Sequence, residues 1–179
     1  MTNRDLVDRR ERLLGTGAAL FYDEPVQIVR GEGVWLFDES DRRYLDMYNN
    51  VPCVGHGHPH VVEAMQRQAE TLNVHSRYLH EGILEYAERL TALHAGPLST
   101  AIFTCTGTEA NEVALQMARA VTGRTGVLCS DSAYHGNSTE VRKLTRLSDD
   151  NTPGYRSFPY PQRYRPISEG VGDEQLVDL

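Results

Sequence analysis

Residues Phe103–Arg119, FTCTGTEANEVALQMAR, set the reading of this chain. A short β-leaning run, Thr100-Ala101-Ile102-Phe103-Thr104, meets a small polar turn, Cys105-Thr106-Gly107-Thr108, and then a helix. Glu109 and Glu112 in the first turns and Arg119 near the end complement the helix dipole. Val113, Met117 and Ala120, spaced by three and four, mark an apolar stripe. Strand, Gly/Thr turn and helix N-terminus together present free backbone N–H groups to an anion, because the first amides of a helix have no internal partner. Gly107 allows close backbone approach, and the hydroxyls of Thr106 and Thr108 add donors. On this pattern alone two readings stand: an ordinary capped βα turn, or an anion site.

The same residues carry a resemblance. Thr106-Gly107-Thr108-Glu109-Ala110-Asn111-Glu112 resembles the phosphate-binding turn of class III aminotransferases, the fold-type I enzymes that use pyridoxal 5′-phosphate (PLP). Ala133-Tyr134-His135-Gly136 is similar to a second signature of that family, and Gly55-His56-Gly57-His58-Pro59 to a third. Three motifs in the family's order are more specific than one, and the resemblance runs from about Leu20 to about Arg165. It implies an α/β fold: a partial doubly wound, mostly parallel sheet of a PLP-transferase large domain, preceded by a small N-terminal antiparallel meander. It implies PLP as cofactor, with Gly107 and Thr108 at its phosphate and Tyr134 and His135 at its ring. It further implies amine and keto-acid substrates and a homodimer for the full-length parent.

Composition bounds the alternatives. The chain is 40% hydrophobic and 24% charged, with no apolar run long enough to span a bilayer. Its opening, MTNRDLVDRRERLL, is charged throughout and lacks the apolar centre of a signal peptide, so the cytoplasm is the expected compartment. Cys53, Cys105 and Cys129 form no CxxC pair, which argues against a disulfide framework or a structural zinc site. A net charge of -7 argues against nucleic acid and anionic membranes as partners. Neither GxGxxG nor GxxxxGK[ST] occurs, which disfavours a nucleotide-binding α/β domain. At 179 residues the chain can form a domain with a real core, yet the family resembled is more than twice as long. The expectation is therefore the N-terminal part of a longer enzyme, with residues 1–50 belonging to the small domain and 51–179 opening the large one.

In chain order, Asn3–Leu14 reads as a surface helix, with Arg9, Arg10 and Arg12 on a solvated face. Gly15-Thr16-Gly17 breaks it. Three β-leaning runs follow, Val26–Arg30, Val34–Phe37 and Tyr44–Met47, separated by hairpin-grade turns. Tyr48-Asn49-Asn50-Val51-Pro52-Cys53-Val54 is either a loop of turn-capping amides or, by resemblance, part of a substrate pocket holding Tyr48 and Asn50. The alternating histidines of Gly55–His60 suggest a metal, but Gly57 and Pro59 break any regular strand and no carboxylate or cysteine lies at ligand spacing. His58-Pro59 instead suits a helix start, and helices are expected over about Pro59–Leu72 and Glu81–His94. Val127-Leu128-Cys129 reads as a second buried strand parallel to 100–104, so that loops 105–108 and 131–136 face one crevice. Beyond Leu147 the chain reads as a polar, Pro-rich connection, with Glu174-Gln175-Leu176-Val177 opening another helix.

PLP chemistry also needs an acid at the pyridine nitrogen and a lysine for the Schiff base. The sequence holds one lysine, Lys143, just past the Tyr-His-Gly loop and expected on a helix surface. By resemblance the catalytic lysine comes much later, so no catalytic residue is assigned within these residues. The reaction implied is amino-group transfer. Tyr48–Val51 and Ser76-Arg77-Tyr78-Leu79-His80 resemble a branch that includes lyases acting on phosphorylated amino alcohols, for which Arg77 is a candidate phosphate contact or simply a surface ion-pair partner. A catalytically incomplete remnant, inert or associating with intact subunits, is the non-enzyme alternative.

Overall fold

The computed structural model describes residues 2–17, 20, 22–145 and 152–160. It divides into two units, residues 1–79 and 80–179. The helix expected at 174–177 lies outside the described residues.

The first unit opens with α1, Asn3–Leu14, started by a capping box. The Asp5 amide donates to Thr2 Oγ1 at 3.2 Å and the Thr2 amide to Asp5 Oδ2 at 2.8 Å. The meander follows as β1 (Ile28–Glu32), β2 (Trp35–Asp38) and β3 (Arg43–Leu45), antiparallel in the order β1-β2-β3. Glu32 faces Trp35 across a two-residue turn, and Gly33 takes the left-handed conformation (φ 56) that such a hairpin requires. The central strand β2 is half-buried while β1 and β3 are mostly exposed, and arginines cover the aromatic rings: Arg30 lies 3.6 Å over Phe37 and Arg43 4.2 Å over Trp35. Gly33 also bridges His56, with both amides donating across the pair at 2.9 and 2.8 Å. Helix α2, Pro59–Thr71, begins with Pro59 at its first position, where a missing N–H costs nothing.

The second unit holds α3 (Glu81–Thr91), α4 (Gly107–Thr122), β4 (Val127–Ser130), a 3-10 helix (Val141–Leu144) and β5 (Tyr155–Phe158). Three expectations are corrected here. The run 100–104 joins no ladder among the described residues: β4 pairs in parallel with β5 instead, Val127 opposite Tyr155 through Ser130 opposite Phe158. A strand requires a neighbour's amides and carbonyls, and no described segment offers them to 100–104. Phe103 stacks on Tyr86 of α3 at 5.3 Å. Conversely, the stretch past Leu147 contains a strand where only a connection was expected. Helix α3 ends at Thr91, one turn earlier than the apolar spacing suggests.

Cys129, Leu144 and Tyr155 form the core of this unit, with Leu115 of α4 and Val127 packed against them. Val141 is fully buried. Thus α4 and the 3-10 helix lie on one face of the β4-β5 pair, and that packing sets where the N-terminus of α4 points.

Candidate functional site

Thr106 caps α4 in an extended conformation (φ -146, ψ 158), and its Oγ1 accepts the Glu109 amide at 3.1 Å. Glu109 reaches back in turn, its Oε2 accepting the Cys105 amide at 2.8 Å. The Thr104 hydroxyl donates to the Thr106 carbonyl at 3.0 Å, closing the turn. The N–H groups of Gly107 and Thr108 have no protein acceptor among the described residues. A Cβ placed on Gly107 would meet nothing within 4 Å, so the approach to these amides is open. Two free amides on the positive end of a sixteen-residue helix suit a phosphate.

The loop 131–136 lies against the same turn. Gly136 sits on Thr108 so closely that a Cβ there would come within 2.3 Å of Thr108 Oγ1, and its φ of 136 independently favours glycine. Asn111 Nδ2 donates to the His135 carbonyl at 2.8 Å, and the Ser138 hydroxyl to Glu112 Oε2 at 2.6 Å. On the far side Thr145 Oγ1 accepts the His135 amide at 3.1 Å. The two loops are therefore adjacent, as the sequence leads one to expect, but by a different route: helix side chains clamp them, not paired strands.

Tyr134 is 67% exposed, with no ring contact among the described residues. The His135 imidazole turns away into an open cleft lined by Leu128, Cys129, Leu144, Phe158 and Tyr160. Its Nε2 is buried there with no hydrogen-bond partner among the described residues. His135 thus meets α4 through its main chain, and the residue also lines the cleft.

Lys143 is not a free amine. It pairs with Glu140, whose Oε2 also accepts Arg119 Nη1 at 3.1 Å and the Tyr155 hydroxyl at 2.7 Å. Arg119 donates to the Tyr155 oxygen as well, at 2.6 Å. Lys143 first, then Tyr155 and Arg119, hold the Glu140 carboxyl at about 2 instead of 4.5. Glu140 in return raises the Lys143 ammonium above its ordinary value. The amine stays protonated and engaged, the opposite of what a nucleophile requires.

In the first unit, Asp46 organises the residues read as a substrate pocket. Its nearly buried carboxylate accepts the amides of Tyr48 at 3.1 Å and Asn49 at 2.9 Å, and pairs with His56 Nε2 at 2.7 Å. The Asn49 amide first, then His56, holds Asp46 well below the usual carboxylate range. His56 is thereby engaged with a carboxylate and the meander edge. Among the described residues no cluster of three His, Cys, Asp or Glu side chains suits a metal. Tyr48 lines a recess with Tyr22, Ile28, Leu36 and Tyr44, the Asn50 carbonyl lies 3.6 Å from Cys53 Sγ, and Arg77 is exposed. Sequence reading passes over Asp46, although an Asp followed by a turn of amides is a local signal. It also misses Asn111 and Ser138, whose partners lie 24 and 26 residues away and leave no local trace.

Comparison with known proteins fits this geometry. Residues 20–175 match the family model described as aminotransferase class-III. The chain is 39% identical over 160 residues to a Drosophila melanogaster protein named alanine–glyoxylate aminotransferase 2-like, covering 89% of this chain and 32% of that one. It is 38% identical to Arabidopsis thaliana alanine–glyoxylate aminotransferase 2 homolog 2, mitochondrial, over 97% of this chain and 38% of the relative. Among solved structures, a phospholyase from Arthrobacter in complex with phosphoethanolamine superposes with a TM-score of 0.80 at 44% identity, covering 88% of this chain and 38% of that one. The chain spans about a third of the length of these proteins.

Proposed function

The chain belongs to the class-III aminotransferase family, and we propose that it supplies the phosphate cradle and one ring face of a PLP site in an enzyme that moves amino groups between amines and keto acids. The observation that carries this is the pair of free amides on Gly107 and Thr108, with the Tyr134 loop clamped against the same turn. The Thr108 hydroxyl is a further phosphate donor, Tyr134 covers the ring, and His135 acts through its main chain. When bound, PLP supplies an electron sink for deprotonation of the substrate amine. The chain's own part is to hold the anionic end, orient the ring and keep one face covered. The pairing of Lys143 with Glu140 supports giving it no amine role. Tyr48, Asn50 and Arg77 are the substrate contacts we propose, in a small-domain segment 1–50 and the opening of a large domain at 51–179. A homodimer in the cytoplasm completes the reading. It rests on the family's habit of shared sites and on unpaired cysteines. No helix among the described residues is long and apolar enough to cross a membrane.

A second reading, elimination of phosphate from a phosphorylated amino alcohol, is favoured by the 44% identity to the phosphoethanolamine-bound phospholyase. In it, exposed Arg77 meets the second phosphate. Release of inorganic phosphate from phosphoethanolamine, against keto-acid-dependent transfer, separates the two.

The test of the shared core is titration with PLP followed by borohydride reduction and peptide mapping. The expected result is a saturable absorbance change with no stoichiometric adduct on Lys143. Stoichiometric labelling of Lys143 together with turnover of an amine donor would overturn the assignment.

A further inference from the structure

We infer that Asn111 is a positioning residue: it sets the ring-stacking Tyr134 over the cofactor without itself holding the phosphate. This deepens, and rests on, the PLP reading above.

The chain from Tyr134 to Gly136 is held at three points. Asn111 Nδ2 takes the His135 carbonyl at 2.8 Å, Thr145 Oγ1 takes the His135 amide at 3.1 Å, and Gly136 lies against the Thr108 side chain. Tyr134, two residues earlier, has a 67% exposed side chain and no ring contact among the described residues, so its direction depends on this main-chain anchoring. Of the three anchors, Asn111 ties the loop by a polar side chain to the very helix whose first amides are the phosphate donors. One turn separates Gly107 from Asn111, so the donor geometry and the loop anchor share a rigid element. Glu112 adds a parallel tie through Ser138 at 2.6 Å. A primary amide suits this post, since a carbonyl partner requires a donor and a carboxylate there would repel it.

The consequence is separable by experiment, because phosphate and ring contribute independently to binding. Calorimetric titration of the protein with pyridoxamine 5′-phosphate and with inorganic phosphate gives the ratio of their affinities, which isolates the ring contribution. In Asn111→Ala the ratio is expected to fall about tenfold, the size of one aromatic stacking contact. Phosphate affinity itself should stay within about a factor of two of wild type. Tyr134→Ala should lose the same factor, and the double variant no more than either alone. Asn111→Leu, of similar size, uncharged and without the donor, provides the same readout should the alanine variant unfold. A wild-type ratio in both Asn111 variants, with loss in Tyr134→Ala, overturns the inference and leaves the PLP reading standing. A parallel fall in phosphate affinity overturns it too, by making Asn111 part of the cradle. No preference for pyridoxamine 5′-phosphate over phosphate in wild type overturns both.

Discussion

Single side chains divide the work sharply. Glu140 is the one anion among Arg119, Lys143 and Tyr155, and it joins α4, the 3-10 helix and β5. A carboxyl whose pKa falls on folding adds stability above its unfolded pKa and loses it as pH falls through the folded one. For Glu140 that window runs from 4.5 down to about 2. Wild type should therefore have a higher urea midpoint than Glu140→Gln at neutral pH, and the gap should close through this window. A gap that stays constant across it would mean that Glu140 acts by packing alone. Asp46 plays the corresponding part in the other unit, where it draws the Tyr48 and Asn49 amides and His56 to one carboxylate. Its role explains why the histidines of Gly55–His60 look like a metal motif in sequence but include one already committed to a turn.

At the scale of elements, α4 depends on its first turn. Removing the Thr106 hydroxyl frees the Glu109 amide, and Thr106→Ala should cost about 1 kcal/mol in chemical denaturation. No change would show that the Glu109 carboxylate on Cys105 suffices to cap the turn. Such local features were legible: the capping pattern of α4, Pro59 at the head of α2, and the meander, whose strands fall within two residues of their expected bounds. Strand partnering was not. Thr100–Thr104 has the composition of a strand and Tyr155-Arg156-Ser157-Phe158 hardly does, yet β4 takes the latter. A ladder is a choice between distant segments, and composition reports only willingness to extend. The same distinction runs through the turn. The helix start at Gly107 follows from a contiguous motif, whereas the bonds of Asn111 to His135 and of Ser138 to Glu112 exist only once the loop returns to the helix.

At the scale of the whole molecule, few of the described apolar side chains are buried. Among the described residues the buried apolar side chains are Cys129, Val141, Leu144 and Tyr155, while Leu79, Val121 and Leu128 are 99%, 86% and 74% exposed. Apolar side chains left this exposed favour association. Against that background the Gly107–Thr108 turn is distinctive for its polarity: two oriented amides with no protein acceptor among the described residues. The most direct test of that cradle is PLP affinity in Gly107→Pro. Gly107 is the first residue of α4, where proline is tolerated, and Thr106 before it is already extended, so the helix should persist. The substitution deletes one donor to the phosphate, a hydrogen bond to a charged group worth about 1.5–3 kcal/mol. The account predicts at least about a tenfold loss of PLP affinity with an unchanged far-ultraviolet circular dichroism spectrum and melting temperature. Unchanged affinity in a folded Gly107→Pro protein would contradict it.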